Sequence, residues 1–224
     1  MVKKRLIATD FDGTLRRDGK ISDYDRECIA KWQSDGNYFG VVTGRGKKFI
    51  ENDLKDIPIR MDYVIIYNGA MIVDGDNNVL QEQFIHRDEF KKIEEIHRKY
   101  DGVVSFDEAG EDEWYHQYYS QCETPEIALK IADEINSTMG DKVSAFVNYW
   151  HVNVTVKGAS KADGVRFILS HFGLTVEECA AVGDDFNDLD MIVSLDGYAV
   201  SSGRPEVIEK APHVCDSVGS LTKL

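Results

Sequence analysis

Cysteine is scarce in this chain of 224 residues: Cys28, Cys122, Cys179 and Cys215 are the only four, and they are scattered. That spacing excludes a disulfide-stapled scaffold or a cysteine metal centre and leaves reduced, mostly buried thiols. Long apolar runs are missing too, so no membrane-spanning helix is expected. Positive charge is short: 26 Lys and Arg stand against 40 Asp and Glu, a formal net charge of -14. Nucleic acid and anionic membranes both need a basic footprint, so neither is expected as a partner. The same balance repels anionic substrates, and an enzyme acting on one must concentrate its cations at the site itself. Met1 to Arg5 run straight into the first strand, leaving no room for a signal peptide, and a cytoplasmic location is expected. Hydrophobic residues at 42% are enough for a sizeable core, and the length suits one large domain or one domain carrying an insertion.

The chain is organised around Arg5 to Leu15, Arg-Leu-Ile-Ala-Thr-Asp-Phe-Asp-Gly-Thr-Leu. Leu6 to Ala8 read as a buried parallel strand that ends in two carboxylates, Asp10 and Asp12, before the turn residue Gly13. Extended backbone alternates its side chains, so Asp10 and Asp12 are expected on one face and Phe11 on the other, anchored in the core. Two carboxylates about 5 Å apart repel by roughly 3 kcal/mol at an effective dielectric near 20, so such a strand end calls for a cation. A hard ion such as Mg²⁺ binds few carboxylates and bridges to substrate phosphate. One carboxylate is then free to attack phosphorus and the other to shuttle a proton. A calcium loop is the rival reading, but that loop has its glycine in sixth place between helices, whereas here glycine is fourth and follows a strand.

The run Asp10-Phe-Asp-Gly-Thr14, with its preceding strand, resembles the first motif of the haloacid dehalogenase superfamily of phosphohydrolases. The resemblance implies that Asp10 is the nucleophile and Asp12 the general acid and base. Three further segments extend it. Phe39 to Val42 form a strand ending in Thr43-Gly44, similar to the second motif, with the Thr43 hydroxyl and the Gly44 backbone holding phosphate. Ser160 and Lys161 open a helix, and a cation in a first turn opposes the helix dipole, so Lys161 is not there for stability. It resembles the third motif, with Lys157 ranked second. Cys179 to Gly183 form a strand ending in Asp184, and Asn187 and Asp188 follow one turn later, similar to the fourth motif. The resemblance implies Mg²⁺ held by Asp10, Asp12, Asp184 and Asp188. Asp185 fills a variable position and receives no role.

Taken in order, the elements alternate as βαβαβ, and a doubly wound, mainly parallel, Rossmann-like α/β sheet is expected, with the first strand central. The turn Asn68-Gly69-Ala70 leads into an antiparallel strand and resembles the Cof-type branch, with Asn68 read first as a turn residue and a role in the site left open. From residue 83 to 155 the pattern becomes αββ twice: a helix from Asp88 to Lys99, strands at Val103 to Phe106 and Trp114 to Tyr119, a helix from Pro125 to Met139, and strands at Val143 to Tyr149 and His151 to Val156. The resemblance implies a cap domain inserted into a core of residues 1–82 and 156–224. Half of its many aromatics are expected to pack the sheet on its helices, leaving His116, His151 and Asn153 exposed. The short chain and minimal cap look most like the archaeal phosphoglycolate phosphatases, which implies a small phosphorylated metabolite as substrate, 2-phosphoglycolate first. Sugar phosphates, pyridoxal phosphate or a flavin precursor as substrate, and a phosphotransferase or mutase sharing the first half-reaction, stay open, as does assembly into a homo-oligomer.

Overall fold

The computed structural model describes residues 3–108 and 110–224. In chain order the elements are β1 (Leu6–Asp10), α1 (Asp23–Ser34), β2 (Tyr38–Val42), α2 (Lys47–Lys55), β3 (Tyr63–Ile66), β4 (Met71–Asp74) and β5 (Val79–Glu82). Then come β6 (Ile85–His86), α3 (Arg87–His97), β7 (Val103–Phe106), β8 (Trp114–Tyr115), β9 (Gln117–Cys122), α4 (Pro125–Met139), β10 (Val143–Asn148) and β11 (His151–Val156). The chain closes with α5 (Lys161–Phe172), β12 (Cys179–Gly183), α6 (Leu189–Ser194), β13 (Tyr198–Val200), α7 (Pro205–Lys210) and β14 (His213–Cys215). Two compact units result. One runs to Gln81 and resumes over Ser160–Leu224; the other is Glu82–Ala159.

The first unit holds an eight-stranded sheet in the order β14-β13-β12-β1-β2-β3-β4-β5. β1 lies between β12 and β2 and runs parallel to both, with Asp10 opposite Val42. β4 turns back antiparallel on β3, as the Asn-Gly-Ala turn predicts. Every residue of β1 is buried, because the sheet is covered on both faces and both sets of alternating side chains need apolar surroundings. Ile7, Phe11, Phe39 and Val41 pack with Ile29 and Trp32 of α1 and Ile50 of α2. Leu6, Ala8 and Val42 pack on the other face with Val165, Ile168 and Leu169 of α5. This is a doubly wound α/β fold. The caps follow the sequence: Ser22 accepts from the Asp25 amide at 3.0 Å and Ser160 from the Asp163 amide at 3.1 Å, and Gly173 ends α5 in the left-handed conformation.

The inserted unit has a four-stranded sheet, β10-β11-β9-β7. One face packs Tyr118, Val152 and Val154 against Phe90 and Ile93 of α3 and Ile131 and Ile135 of α4. The strand expected over Trp114 to Tyr119 is divided. Trp114 and Tyr115 leave the sheet and pair antiparallel with β6, and β9 begins only at Gln117. In the first unit Arg17 and Lys20 pair across Asp18-Gly19, both at positive φ. Asp-Gly between paired residues is the signature of a two-residue hairpin. No helix among the described residues is long and apolar enough to cross a membrane.

Candidate active site

Asp10 ends β1, Thr43 follows the end of β2, and Asp184 follows the end of β12. These three strands are neighbours in the sheet, so their carboxyl ends bring the three residues to one edge, where ligands bind in open α/β sheets. Asp10 shares the face of Leu6 and Ala8, the face α5 covers, and α5 begins at Lys161. The Lys161 side chain is 1% exposed, with Nζ 2.6 Å from Asp10 Oδ1 and 2.5 Å from Asp188 Oδ1. Asp188 Oδ2 accepts from the amides of Asp184 and Asp185 at 3.0 and 3.1 Å, which fixes the turn after β12. Lys157, the rival lysine, is exposed and belongs to the inserted unit.

Asp10, Asp184 and Asp188 each offer an oxygen within 4.8 Å of the others. Three carboxylates thus face one ammonium, and the imbalance shows in the titration of Asp10 and Asp184. Burial raises the Asp10 carboxyl well above its usual range; Lys161 opposes this, and Asp188 and Asp184 add to it. Burial likewise lifts Asp184 to about 6. Burial disfavours the Lys161 ammonium, yet Asp10 and Asp188 outweigh it and hold the group above the usual lysine range. A buried all-oxygen set with excess negative charge fits a hard divalent cation, and ligation would take up the repulsion that now retains protons.

Two contacts that the sequence reading passed over complete this edge. Thr14 is fully buried and donates Oγ1 to Asp184 Oδ1 at 2.5 Å. Gly13 stands with φ +89°, and a Cβ there would run into the Asp184 carboxylate, so only glycine fits the approach. Thr14 belongs to the first motif, which was the available signal.

Thr43 is buried, and its Oγ1 accepts from the Arg45 amide at 3.1 Å, which curls the loop after β2. At Gly44 a Cβ would come within 2.9 Å of Asn68 Oδ1. Asn68 is therefore more than a turn residue: it is buried against this loop, and Tyr67, Asn68 and Gly69 all have positive φ. Consecutive left-handed residues, one of them a tyrosine, are a costly backbone that surrounding structure must hold.

Asp12 departs from expectation. The strand stops at Asp10, so the alternation that would set Asp12 beside it does not continue. Asp12 is exposed, its carboxylate bonded to Arg16 and Arg45, and it is absent from the group of three acids. Phe11 is buried as expected. Asn187 is partly exposed on the turn after β12, and Asp185 pairs with Arg204. In the inserted unit His116 bonds Glu82 at 2.8 Å and is not on the sheet, whereas His151 stacks on Tyr119 with centroids 5.2 Å apart; Asn153, expected to be exposed, is buried on the central strand where it pairs with Tyr119.

A 5-amino-6-(5-phospho-D-ribitylamino)uracil phosphatase of Bacillus subtilis is 25% identical over 95% of this chain and 90% of its own. The structure of a haloacid dehalogenase-like hydrolase from B. subtilis superposes with TM-score 0.84 at 18% identity, covering 98% of this chain and 99% of that one. The sugar phosphatase BT4131, of subclass IIB of that superfamily, superposes with TM-score 0.79 at 21% identity and 98% coverage of both chains. The homologues support a likeness to bacterial Cof-type enzymes, and the expected likeness to the archaeal phosphoglycolate phosphatases is not supported. The sequence profile of the haloacid dehalogenase-like hydrolases matches residues 7–126 and 117–220, and the chain belongs to that family, in its Cof-type branch.

Proposed function

We propose that this protein is a metal-dependent phosphomonoester hydrolase working through a phosphorylated Asp10. The observation that carries the reading is Lys161, a fully buried ammonium held by Asp10 and Asp188 at the strand ends. A buried ion pair is weak evidence of stabilisation, so its place at this edge is better explained by chemistry. Asp10, Asp184 and Asp188 would hold the divalent ion, Mg²⁺ by family resemblance, which when bound supplies positive charge to the phosphoryl oxygens. Asp10 attacks phosphorus as its bond to the ester oxygen breaks, and Asp12 gives that oxygen a proton. Asp12 then takes a proton from water as the water attacks phosphorus, the bond from the Asp10 oxygen to phosphorus breaks, and phosphate leaves with the Asp10 carboxylate restored. Lys161 spreads the charge on the Asp10 oxygens, while Thr43 and the Gly44 backbone orient the phosphate. For its proton transfers the Asp12 carboxylate must be directed at the ester oxygen, which makes its arginine contacts part of the chemistry.

For the substrate, the reading is a sugar or polyol phosphate. Alternation sets Tyr119, Gln121, Ser144, Phe146, His151 and Asn153 on the sheet face of the inserted unit opposite its two helices. These are aromatic and uncharged polar groups with no lysine or arginine, and burial lowers the titration of His151, which favours its neutral form. Such a face suits hydroxyls and ring edges. The carboxylate of 2-phosphoglycolate, the first expectation, would ask for a cation there. The B. subtilis relative is named for a ribityl phosphate, which supports the same choice.

The test is Asp12→Asn with an activated aryl phosphate and Mg²⁺. Loss of the base should slow hydrolysis of the intermediate by roughly 10² to 10⁴. A burst of leaving group equal to the enzyme present and an adduct mapped to Asp10 by mass spectrometry are expected. A folded, Mg²⁺-binding variant with neither would overturn the covalent route, and a panel of phosphomonoesters including 2-phosphoglycolate ranks the substrates.

A further inference from the structure

Four charged side chains form a closed ring outside the three-carboxylate group. Asp12 accepts from Arg16 Nη2 at 2.8 Å and from Arg45 through Nε at 2.5 Å and Nη2 at 3.0 Å. Each arginine also reaches Asp53 on α2: Arg16 Nη1 lies 3.0 Å from Oδ2, and Arg45 Nη1 bonds the same oxygen. Both guanidinium groups lie over the ring of the buried Phe11, 4.7 and 5.6 Å from its centroid. The core thus fixes the platform and Asp53 fixes the two forks upon it.

We propose that Asp53 is a positioning residue for Asp12, one that acts through Arg16 and Arg45 to direct the Asp12 carboxylate toward the leaving oxygen. The inference rests on the reading of Asp12 as the proton carrier. Two guanidinium groups this close repel each other, and without Asp53 they would share a single carboxylate; each fork then follows whichever pairing keeps the cations apart. Asp53 balances the charge and holds both through one oxygen, so one substitution releases both. Position matters because proton transfer in the transition state needs hydrogen-bond reach, and a misplacement of about 1 Å at a reacting group can cost on the order of 10² in rate. The Asp53 side chain is 32% exposed, and ion pairs so placed contribute little to stability, so its loss leaves the fold intact. Because α2 follows directly on the Thr43-Gly44 loop, the ring also ties the proton carrier to the segment read as the phosphate holder.

Leaving-group dependence tests this, since an alkoxide needs Asp12's proton to depart and a nitrophenolate scarcely does. kcat/KM reports the steps up to departure and is measured with Mg²⁺ on p-nitrophenyl phosphate and on the best alkyl phosphate found for the wild type. Asp53→Asn should lower kcat/KM for the alkyl ester about tenfold and for the aryl ester less than twofold, with Mg²⁺ affinity unchanged and partial recovery in Asp53→Glu. Equal losses on both esters, or none on either in a variant shown to be folded, would overturn the positioning role. A wild type inactive on every phosphomonoester would instead bring down the hydrolase reading, and this proposal with it.

Discussion

Thr14 Oγ1 donates to Asp184 Oδ1 at 2.5 Å across a separation of 170 residues, joining the first motif to the fourth. The hydroxyl spends its proton on one carboxylate oxygen and thereby aims the other. Groups that orient a ligating carboxylate typically matter 10- to 100-fold for metal affinity. Thr14→Val keeps the shape and removes the donor, so Mg²⁺ affinity should fall by about tenfold while the circular dichroism spectrum is unchanged, as titration calorimetry would detect. Unaltered affinity would leave Thr14 with a packing role alone.

Lys161 offers a sharper test because it is buried between two acids. In Lys161→Met, Asp10 and Asp188 lose the ammonium they share, and the metal-free protein should lose about 3 kcal/mol of stability. The turnover number should drop by roughly 10² to 10³, the scale for removing one transition-state donor. Urea denaturation with and without Mg²⁺ separates the two effects. The variant should gain more stability from the ion than the wild type does, since its carboxylates are then the less compensated.

The titration of Asp184 near 6, against an ordinary 3.8, sets a pH dependence whose sign is unusual for a carboxylate. A raised folded-state value means that the folded protein holds a proton the unfolded chain has released. The resulting stability is full below the unfolded value and is lost as pH rises through about 6, with Asp10 acting in the same direction. Relative to Asp184→Asn, the metal-free wild type should therefore lose thermal stability between about pH 4 and about pH 7. With Mg²⁺ the trend reverses, because protons compete with the ion, and stabilisation by the ion should be larger at the upper pH. Parallel curves for the two proteins would show that Asp184 titrates in its ordinary range.

His151 examines the inserted unit. It stacks on Tyr119 and lies on the sheet face of the inserted unit opposite the two helices. His151→Ala should alter the ranking of polyol and sugar phosphates by several-fold in kcat/KM while leaving p-nitrophenyl phosphate within about twofold, the scale of one lost polar contact. A uniform loss across the panel would tie His151 to folding of the unit.

Much of this protein is determined by local sequence. Buried parallel strands are short apolar runs, and acids or Thr-Gly placed directly after them must fall at the sheet edge, which is why Asp10, Thr43 and Asp184 were legible before any fold was known. Ser160 likewise fixes the start of α5 and so puts Lys161 in its first turn. Tertiary structure alone decided what those side chains meet. Alternation carries no information on where a strand stops, so Asp12 was expected beside Asp10, whereas the chain turns after Asp10 and delivers Asp12 to Arg16 and Arg45. Trp114 and Tyr115 read as one strand with Gln117 to Tyr119, yet β6 takes them as its partner. The links from Thr14 to Asp184 and from Arg16 and Arg45 to Asp53 span 170, 37 and 8 residues. Propensity and periodicity report on neighbours within a turn or two of chain; partners at these separations are chosen by how the helices close over the sheet.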